Sequence, residues 1–288
     1  MRVSKEIHEV QKVVKDWTKK GKSIGFVPTM GFLHEGHIRL IQEARKENDK
    51  VILSIFINPL QFGVGEDLDT YPRDADHDRN IAEEQGVDLV FLPENATMYP
   101  SPLTVEMSVT KRTEALCGKS RPGHFDGVVT VLTKLFNITQ PDNTYFGMKD
   151  AQQVAVVDAL INDHNIPVKL VAVPTVREED GLAKSSRNIH LTEKERKEAP
   201  AIQESLQIGR QIVQEGQKDP SEVIQATQKF LEQRTHGKID YIELLSYPEL
   251  ESIEEINRPV ILAVAVFYEK VRLIDNVIFY EDGEDYTG

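Results

Sequence analysis

Val51–Ile57 (VILSIFI) runs for seven residues without a charge, between Lys50 and the pair Asn58-Pro59. A strand that alternates apolar and polar residues covers a core on one face, whereas an uninterrupted apolar run must be covered on both. Two-sided cover is the condition of a parallel sheet with helices on each face, so this segment narrows the fold more than any other. Further short strands read at Ser23–Pro28, Asp88–Leu92, Thr144–Phe146 and Val168–Val173. Helical spacing lies between them, in Ile7, Val10, Val13, Val14 and Trp17, in Ile38, Ile41, Ala44 and Arg45, near Asp74–Gln85, and in Val154, Val157, Leu160 and Ile161. The chain thus opens on an amphipathic helix in this reading. Strands alternating with helices build βαβ units with right-handed crossovers. Residues 1–176 are expected to form a doubly wound parallel-sheet α/β domain. Ligands then sit beyond the carboxyl ends of the strands, where strand order reverses.

The pattern changes after Arg177. Thr192–Gln214 and Ser221–Gln233 read as two polar helices joined by Gly216–Pro220. Three strand-like runs follow, Ile239–Leu245, Pro259–Tyr268 and Val271–Phe279, the last two separated by Glu269-Lys270 as in a hairpin. Residues 177–288 are expected to form a smaller α+β domain that closes over the active site, with the acidic tail Glu281–Gly288 frayed. Glu66–Arg79, after Gly63 and Gly65, reads as a flexible flap whose acids face solvent, since the spacing of an EF-hand loop is absent.

Hydrophobic residues make up 40% and charged residues 28%, which argues against disorder. With 34 Lys and Arg against 47 Asp and Glu the net charge is −13, unfavourable for non-specific binding to nucleic acid or an anionic membrane. Phosphate recognition in such a chain needs a local gathering of Lys, Arg and His. Cys117 is the only cysteine, so no intrachain disulfide forms, and Leu116 and Gly118 beside it give no nucleophile setting. The first residues carry charges throughout, and the apolar runs Val260–Tyr268 and Leu170–Pro174 fall far short of the roughly 20 residues of a membrane span. A cytoplasmic protein without membrane or nucleic-acid partners is the expectation.

One segment gathers the needed groups. In Phe26–His37 (FVPTMGFLHEGH) a buried strand leads into a glycine turn, and His34 and His37 then open a helix. The unpaired N–H groups and positive dipole end of a helix start suit an anionic phosphate. Gly31 and Gly36 would let a nucleotide approach the backbone, and a spacing of three puts both imidazoles on one helical face. A surface cap for His34 and a core position for His37 is the plainer alternative. A zinc site is another, but nothing completes its ligand set. Asn58 and Gln61 follow the all-apolar strand, at a carboxyl end, and their amides both donate and accept, which suits a small polar ligand better than a fixed charge would; Asn58-Pro59 could equally just make a turn. In Gly147-Met148-Lys149-Asp150, Lys149 offers a point charge, and Asp150 a helix cap or a ribose contact. Lys184-Ser185-Ser186-Arg187 places cations and hydroxyls together in a loop that could close over a triphosphate. Each is otherwise an ordinary solvated loop. Arg121 and His124 flank Gly123 as a further cationic cluster without an assigned contact.

HEGH at 34–37 resembles the HxGH signature shared by class I aminoacyl-tRNA synthetases and nucleotidyltransferases. Five segments together resemble the pantothenate synthetase family, in that family's order: PTMGFLHEGHIRLI, FINPLQFG at 56–63, RPGHFDGVVTVLTKLFNI at 121–138, YFGMKDAQQ at 145–153 and VREEDGLAKSSRNIHL at 176–191. The resemblance implies ATP contacts at Met30, Gly31, Phe32, Leu33, His34, Glu35, Gly36 and His37, at Gly147, Met148, Lys149 and Asp150, at Val176, and at Lys184, Ser185, Ser186 and Arg187. It implies pantoate contacts at Gln61 and Gln153, with Asn58 beside them, and a β-alanine contact at Gln61. His37, His34 and Lys149 are the expected catalytic groups, Mg²⁺ is expected to arrive with ATP, and a homodimer is implied. The loop departs from the family where Lys184 stands in place of the usual Met. Rival readings are a nucleotidyltransferase that stops at a nucleotide product, a tRNA synthetase, for which the acidic C-terminal region is a poor RNA-binding domain, and a non-catalytic nucleotide-binding regulator.

Overall fold

The computed structural model describes residues 1–63 and 65–287. In chain order the elements of the parallel sheet and its cover are β1 (Arg2–Ser4), α1 (Ile7–Lys19), β2 (Ile24–Thr29), α2 (Glu35–Glu47), β3 (Lys50–Ile55), α3 (Ala75–Glu84), β4 (Leu89–Phe91), α4 (Asn95–Met98), α5 (Leu116–Ser120), α6 (His124–Thr139), β5 (Asn143–Gly147), α7 (Ala151–Asp163) and β6 (Lys169–Val173). All six strands run parallel in the order β1-β4-β3-β2-β5-β6. From β2 the chain steps outward through β3 and β4, and it returns to the other side of β2 for β5 and β6. Strand order therefore reverses between β2 and β5, and the segments that follow these two strands lie at the switch point. Val51, Ile52, Leu53, Ser54 and Ile55 are all buried, as the uncharged run requires.

The chain does not open on a helix. Arg2–Ser4 pairs with Leu89–Phe91 first, as an edge strand too short to show any periodicity. Helix α6 was not anticipated either: Val128, Val129, Val131, Leu132, Leu135 and Phe136 are all buried, while Asp126, Thr130, Thr133, Lys134 and Asn137 form a narrow polar stripe at helical spacing that the sequence reading passed over. Next to the sheet, Asp88 accepts from Lys50 Nζ at 2.7 Å, Arg45 Nη1 at 2.7 Å and Val51 N at 2.9 Å, and Lys50 Nζ lies 5.5 Å from the ring centre of Trp17 on α1.

The remaining elements are α8 (Glu193–Glu198), α9 (Ala201–Gln214), α10 (Pro220–Glu232), β7 (Lys238–Ser246), β8 (Val260–Phe267) and β9 (Arg272–Phe279). The strands form an antiparallel sheet in the order β7-β8-β9, with α9 and α10 against it. Thr192–Gln214, expected as one helix, is two, separated at Ala199-Pro200, where proline removes a backbone donor. Leu206, Val213, Val223, Leu231, Leu262 and Val264 share one buried cluster. At Gly209 on α9 an added Cβ would stand 2.5 Å from Leu262 Cδ2 and also against Thr227, so helix and sheet meet without room for a methyl group. The acidic tail does not fray over its described part. Phe279 bridges Asp285, Tyr286 N donates to Ile278 O at 3.1 Å, and the Tyr286 ring sits 5.6 Å from Tyr247 and 5.4 Å from Tyr280. Gly288 lies outside the described residues.

The chain divides into two compact units. The first holds Met1–Thr110, Gly118–Met148 and Val156–Pro174, and the second Lys111–Cys117, Lys149–Ala155 and Thr175–Gly288. The second unit thus starts at Thr175 rather than Arg177 and draws two short segments from earlier in the chain.

Candidate active site

In the first unit β2 ends at Thr29, and the chain turns through Gly31 (φ 90°) and Phe32 (φ 51°), both left-handed, before α2 begins. Phe32 adopts this conformation without the freedom of glycine, so something must hold it there. The buried Asp78 carboxylate of α3 does so, accepting from Phe32 N at 2.9 Å through one oxygen and from Leu33 N at 2.7 Å through the other. His77 Nε2 lies 3.0 Å from Leu33 O. The acid-rich stretch is therefore not simply a solvated flap: Asp78 faces inward, and Tyr71 is buried against the Phe62 ring.

His34 is the N-cap of α2. Its Nδ1 accepts from Gly36 N at 3.1 Å, and His37 Nδ1 accepts in return from His34 N at 3.3 Å, an imidazole version of the capping box. The cap envisaged as the plain alternative for His34 is real. With Nδ1 accepting in both rings, each neutral imidazole carries its proton on Nε2. The rings lie 4.1 Å apart, so two N–H donors are fixed side by side at a helix start. Gly36 has a reason other than nucleotide approach: a Cβ there would stand 2.8 Å from His34 Cε1 and 3.0 Å from Nδ1. At Gly31 a Cβ would stand 2.9 Å from Asp78 Oδ2.

Beyond β3, Asn58 caps the turn Pro59–Gln61. Its Nδ2 donates to Gln61 Oε1 at 3.2 Å and Gly127 O at 3.0 Å; its Oδ1 accepts from Leu60 N at 3.3 Å and Tyr99 Oη at 2.8 Å. Burial pushes the Tyr99 phenol up to about 12, so it stays a donor at neutral pH. Two donors and two acceptor sites are all an amide has. With those groups engaged, Asn58 supports Gln61, whose Nε2 reaches Met30 Sδ at 3.3 Å. Arg121 and His124 find their contacts here as well. His124 Nδ1 is 2.8 Å and Arg121 Nη2 3.2 Å from Gln61 O, while the Arg121 guanidinium pairs with Glu66. Burial opposes ionisation of Glu66, but Arg121 outweighs it and holds the carboxyl below its ordinary range.

In the second unit, Lys149 and Asp150 precede the half-buried Gln153 on α7, and Lys149 O accepts from Asn276 Nδ2 of β9 at 2.9 Å. Val176–Lys184 forms a tight hairpin, with Lys184 N donating to Val176 O at 2.9 Å and Glu178 N to Leu182 O at 2.8 Å. Asp275, next to Asn276, binds Arg177 through both oxygens at 2.6 and 3.1 Å. Lys184 Nζ is paired with Glu178 at 2.8 Å. Ser185 caps the turn Ser186–His190 by accepting from Arg187 N at 3.3 Å. So Met30–His37, Asn58, Gln61, Gly147 and Met148 belong to the first unit. Lys149, Asp150, Gln153, Val176 and Lys184–Arg187 belong to the second.

The family described as pantoate-β-alanine ligase matches residues 2–278. The chain belongs to the pantoate-β-alanine ligase family. The pantothenate synthetase of Bacillus pumilus is 55% identical over the whole of both chains. The crystal structure of pantothenate synthetase from Thermus thermophilus has 40% identity, covers 97% of this chain and 100% of its own, and superposes with a TM-score of 0.92. A pantoate-β-alanine ligase from Francisella tularensis, complexed with β-γ ATP and β-alanine, has 36% identity, 98% coverage of both chains and a TM-score of 0.79. Membership of this ligase family confirms the sequence resemblance and the α/β architecture, and makes the chain an enzyme. Sequence reasoning missed Asp78, Glu66, Asp275 and Asn276. Asp78 alone left a signal: with Ile81 and Ala82 at i+3 and i+4, it stands on the inward stripe of α3.

Proposed function

We propose that this enzyme condenses pantoate with β-alanine at the expense of ATP, through a pantoyl-adenylate, releasing AMP and pyrophosphate. The observation that carries the proposal is the reciprocal cap of His34 and His37, which fixes two Nε2–H donors at the start of α2, the place where a phosphate is best held. A carboxylate is a poor acyl donor because its leaving group would be oxide. The pantoate carboxylate attacks the α-phosphorus, the bond to the bridging oxygen breaks, and pyrophosphate leaves. The β-alanine amine then attacks the acyl carbon, the C–O bond to AMP breaks, and the amine sheds a proton. In both steps charge gathers on phosphate oxygens, so catalysis consists of positioning and fixed donors.

His34, His37 and Lys149 supply those donors, with Ser185, Ser186 and Arg187 on the triphosphate. Residues 30–37 and 147–150 and Val176 line the nucleotide, Val176 with its carbonyl already engaged by Lys184. Gln61 and Gln153, with Asn58 beside them, bind pantoate; Gln61 also meets β-alanine, and Asn58 holds Gln61 in place. Among the described residues no group of three or more His, Cys, Asp or Glu is arranged to hold a metal ion. Mg²⁺ is proposed to come with the phosphates of ATP, whose charge it would offset. No helix among the described residues is long and apolar enough to cross a membrane. The proposal includes a cytoplasmic location and the homodimer the family implies, which sedimentation velocity reads.

Exchange of labelled pyrophosphate into ATP tests the order of steps. It should require pantoate and proceed without β-alanine; exchange that appears only with β-alanine removes the adenylate. Pyrophosphate release without AMP would indicate a nucleotidyltransferase, and ATP binding with no release under any acid a regulator.

A further inference from the structure

We propose that Asp78 is a positioning residue for catalysis, a clamp that holds Gly31–Leu33 in the left-handed turn from which His34 and His37 are presented. The inference rests on the reading of those histidines as phosphate donors. The carboxylate is 2% exposed and divides its two oxygens between consecutive N–H groups, Phe32 at 2.9 Å and Leu33 at 2.7 Å. Two adjacent backbone donors converging on one side chain are what a carboxylate can satisfy and an amide cannot, since the amide has one accepting atom and would turn its own N–H toward a donor. The turn it holds is unfavourable without such support, because Phe32 is left-handed at φ 51°. Gly31 at φ 90° admits the carboxylate, as a Cβ there would stand 2.9 Å from Asp78 Oδ2 and 2.9 Å from Ile55 Cγ2. One residue beyond Leu33 lies His34, whose backbone N–H is the donor to His37. A shift of the turn therefore moves both rings.

The clamp has a signature in pH. Burial raises the Asp78 carboxyl above its ordinary range, against the two N–H groups and the nearby His77, and with Asp74 adding to the rise. The facing segments present the uncharged Gly31, Phe32, Leu33 and Ile55. On lowering the pH, Asp78 takes up its proton before an ordinary carboxyl would, and one acceptor becomes a donor facing an N–H.

Asp78→Asn is the test, read by pantoate-dependent pyrophosphate exchange over a pH series. The expected result is a folded protein with kcat lower by about ten- to hundredfold, the loss that a displacement near 1 Å produces, with KM for ATP changed less than threefold and the acid limb of the profile displaced. Wild-type kcat with an unmoved acid limb overturns the clamp. If the variant does not fold, the wild-type protein decides by NMR. The amide shifts of Phe32 and Leu33 should titrate together with the Asp78 carboxyl, at a midpoint above the ordinary carboxyl range; amides that ignore Asp78 overturn the proposal. Wild-type enzyme without pantoate-dependent exchange would defeat the functional reading instead, and the amide titration would still test the clamp.

Discussion

At Gly36 a single missing atom leaves room for the His34 ring at the N-cap of α2. Alanine suits a helix better than glycine by about 1 kcal/mol, yet its Cβ would displace the His34 ring from the N-cap. The lost cap, worth about 0.5–2 kcal/mol, offsets that gain, so Gly36→Ala should melt near the wild-type temperature while the adenylation rate falls, by about 10²–10³ if one fixed donor is lost; normal turnover would refute the steric account. His37→Ala should behave likewise in single-turnover rate, since a core histidine would instead show early melting with normal residual turnover. Asp88 offers the opposite case, a carboxylate that works for stability. Burial opposes its charge, but Lys50, Val51 N and Arg45 together hold its pKa below the ordinary value. The folded pKa is depressed, so the contribution is fully present above the unfolded value near about 3.9 and is lost as pH falls through the folded one. Asp88→Asn should lower the melting temperature at pH 7, and that difference should close in acid. Of these residues, His34, Gly36 and His37 were legible as a group because their spacing is local. Asp78 and Asp88 were not, since a carboxylate in sequence looks solvated whatever fold later surrounds it.

At the scale of elements, β9 is the clearest example of support from a distance in sequence. Its neighbours Asp275 and Asn276 hold the Arg177 hairpin and the Lys149 carbonyl, two segments assigned to ATP. Asn276→Ala removes the hydrogen bond to Lys149 O, worth about 0.5–1.5 kcal/mol, and should raise KM for ATP up to about tenfold with KM for pantoate unchanged. Equal changes in both would mean that Asn276 supports the fold alone. Elements that face a core on one side, such as α1, α2 and α3, were readable from their period. Strand β1 is three residues long and has no period to read, whereas the period of α6 was there in Asp126, Thr130, Thr133, Lys134 and Asn137, a polar stripe too narrow to stand out in a mostly buried helix. The division of Thr192–Gln214 at Pro200 was visible as a residue but was outweighed by helical spacing on both sides. The tail was expected to fray because its charges suggested solvent, whereas Tyr286 packs between two other tyrosine rings.

At the scale of the whole molecule, the described residues include a core within the parallel sheet and its helices and another between α9, α10 and the antiparallel sheet. Gly209→Ala would overfill the second of these against Leu262 and Thr227, costing about 1–3 kcal/mol. Urea unfolding followed by circular dichroism should show the shift, and an unshifted midpoint would mean that the contact relaxes freely. The α/β class and the change of pattern near Arg177 were both apparent in the sequence. Transfer of Lys111–Cys117 and Lys149–Ala155 to the second unit was not, since periodicity records which face a segment buries but not which body it joins. Trp17, with Lys50 over its ring, lies in the first unit and is the chain's only tryptophan. Indole emission is therefore a private spectroscopic channel to one half of the molecule. A change made in the other half, Gly209→Ala among them, can alter that signal only by crossing from one body to the other, so fluorescence set against circular dichroism measures how strongly the two halves are coupled.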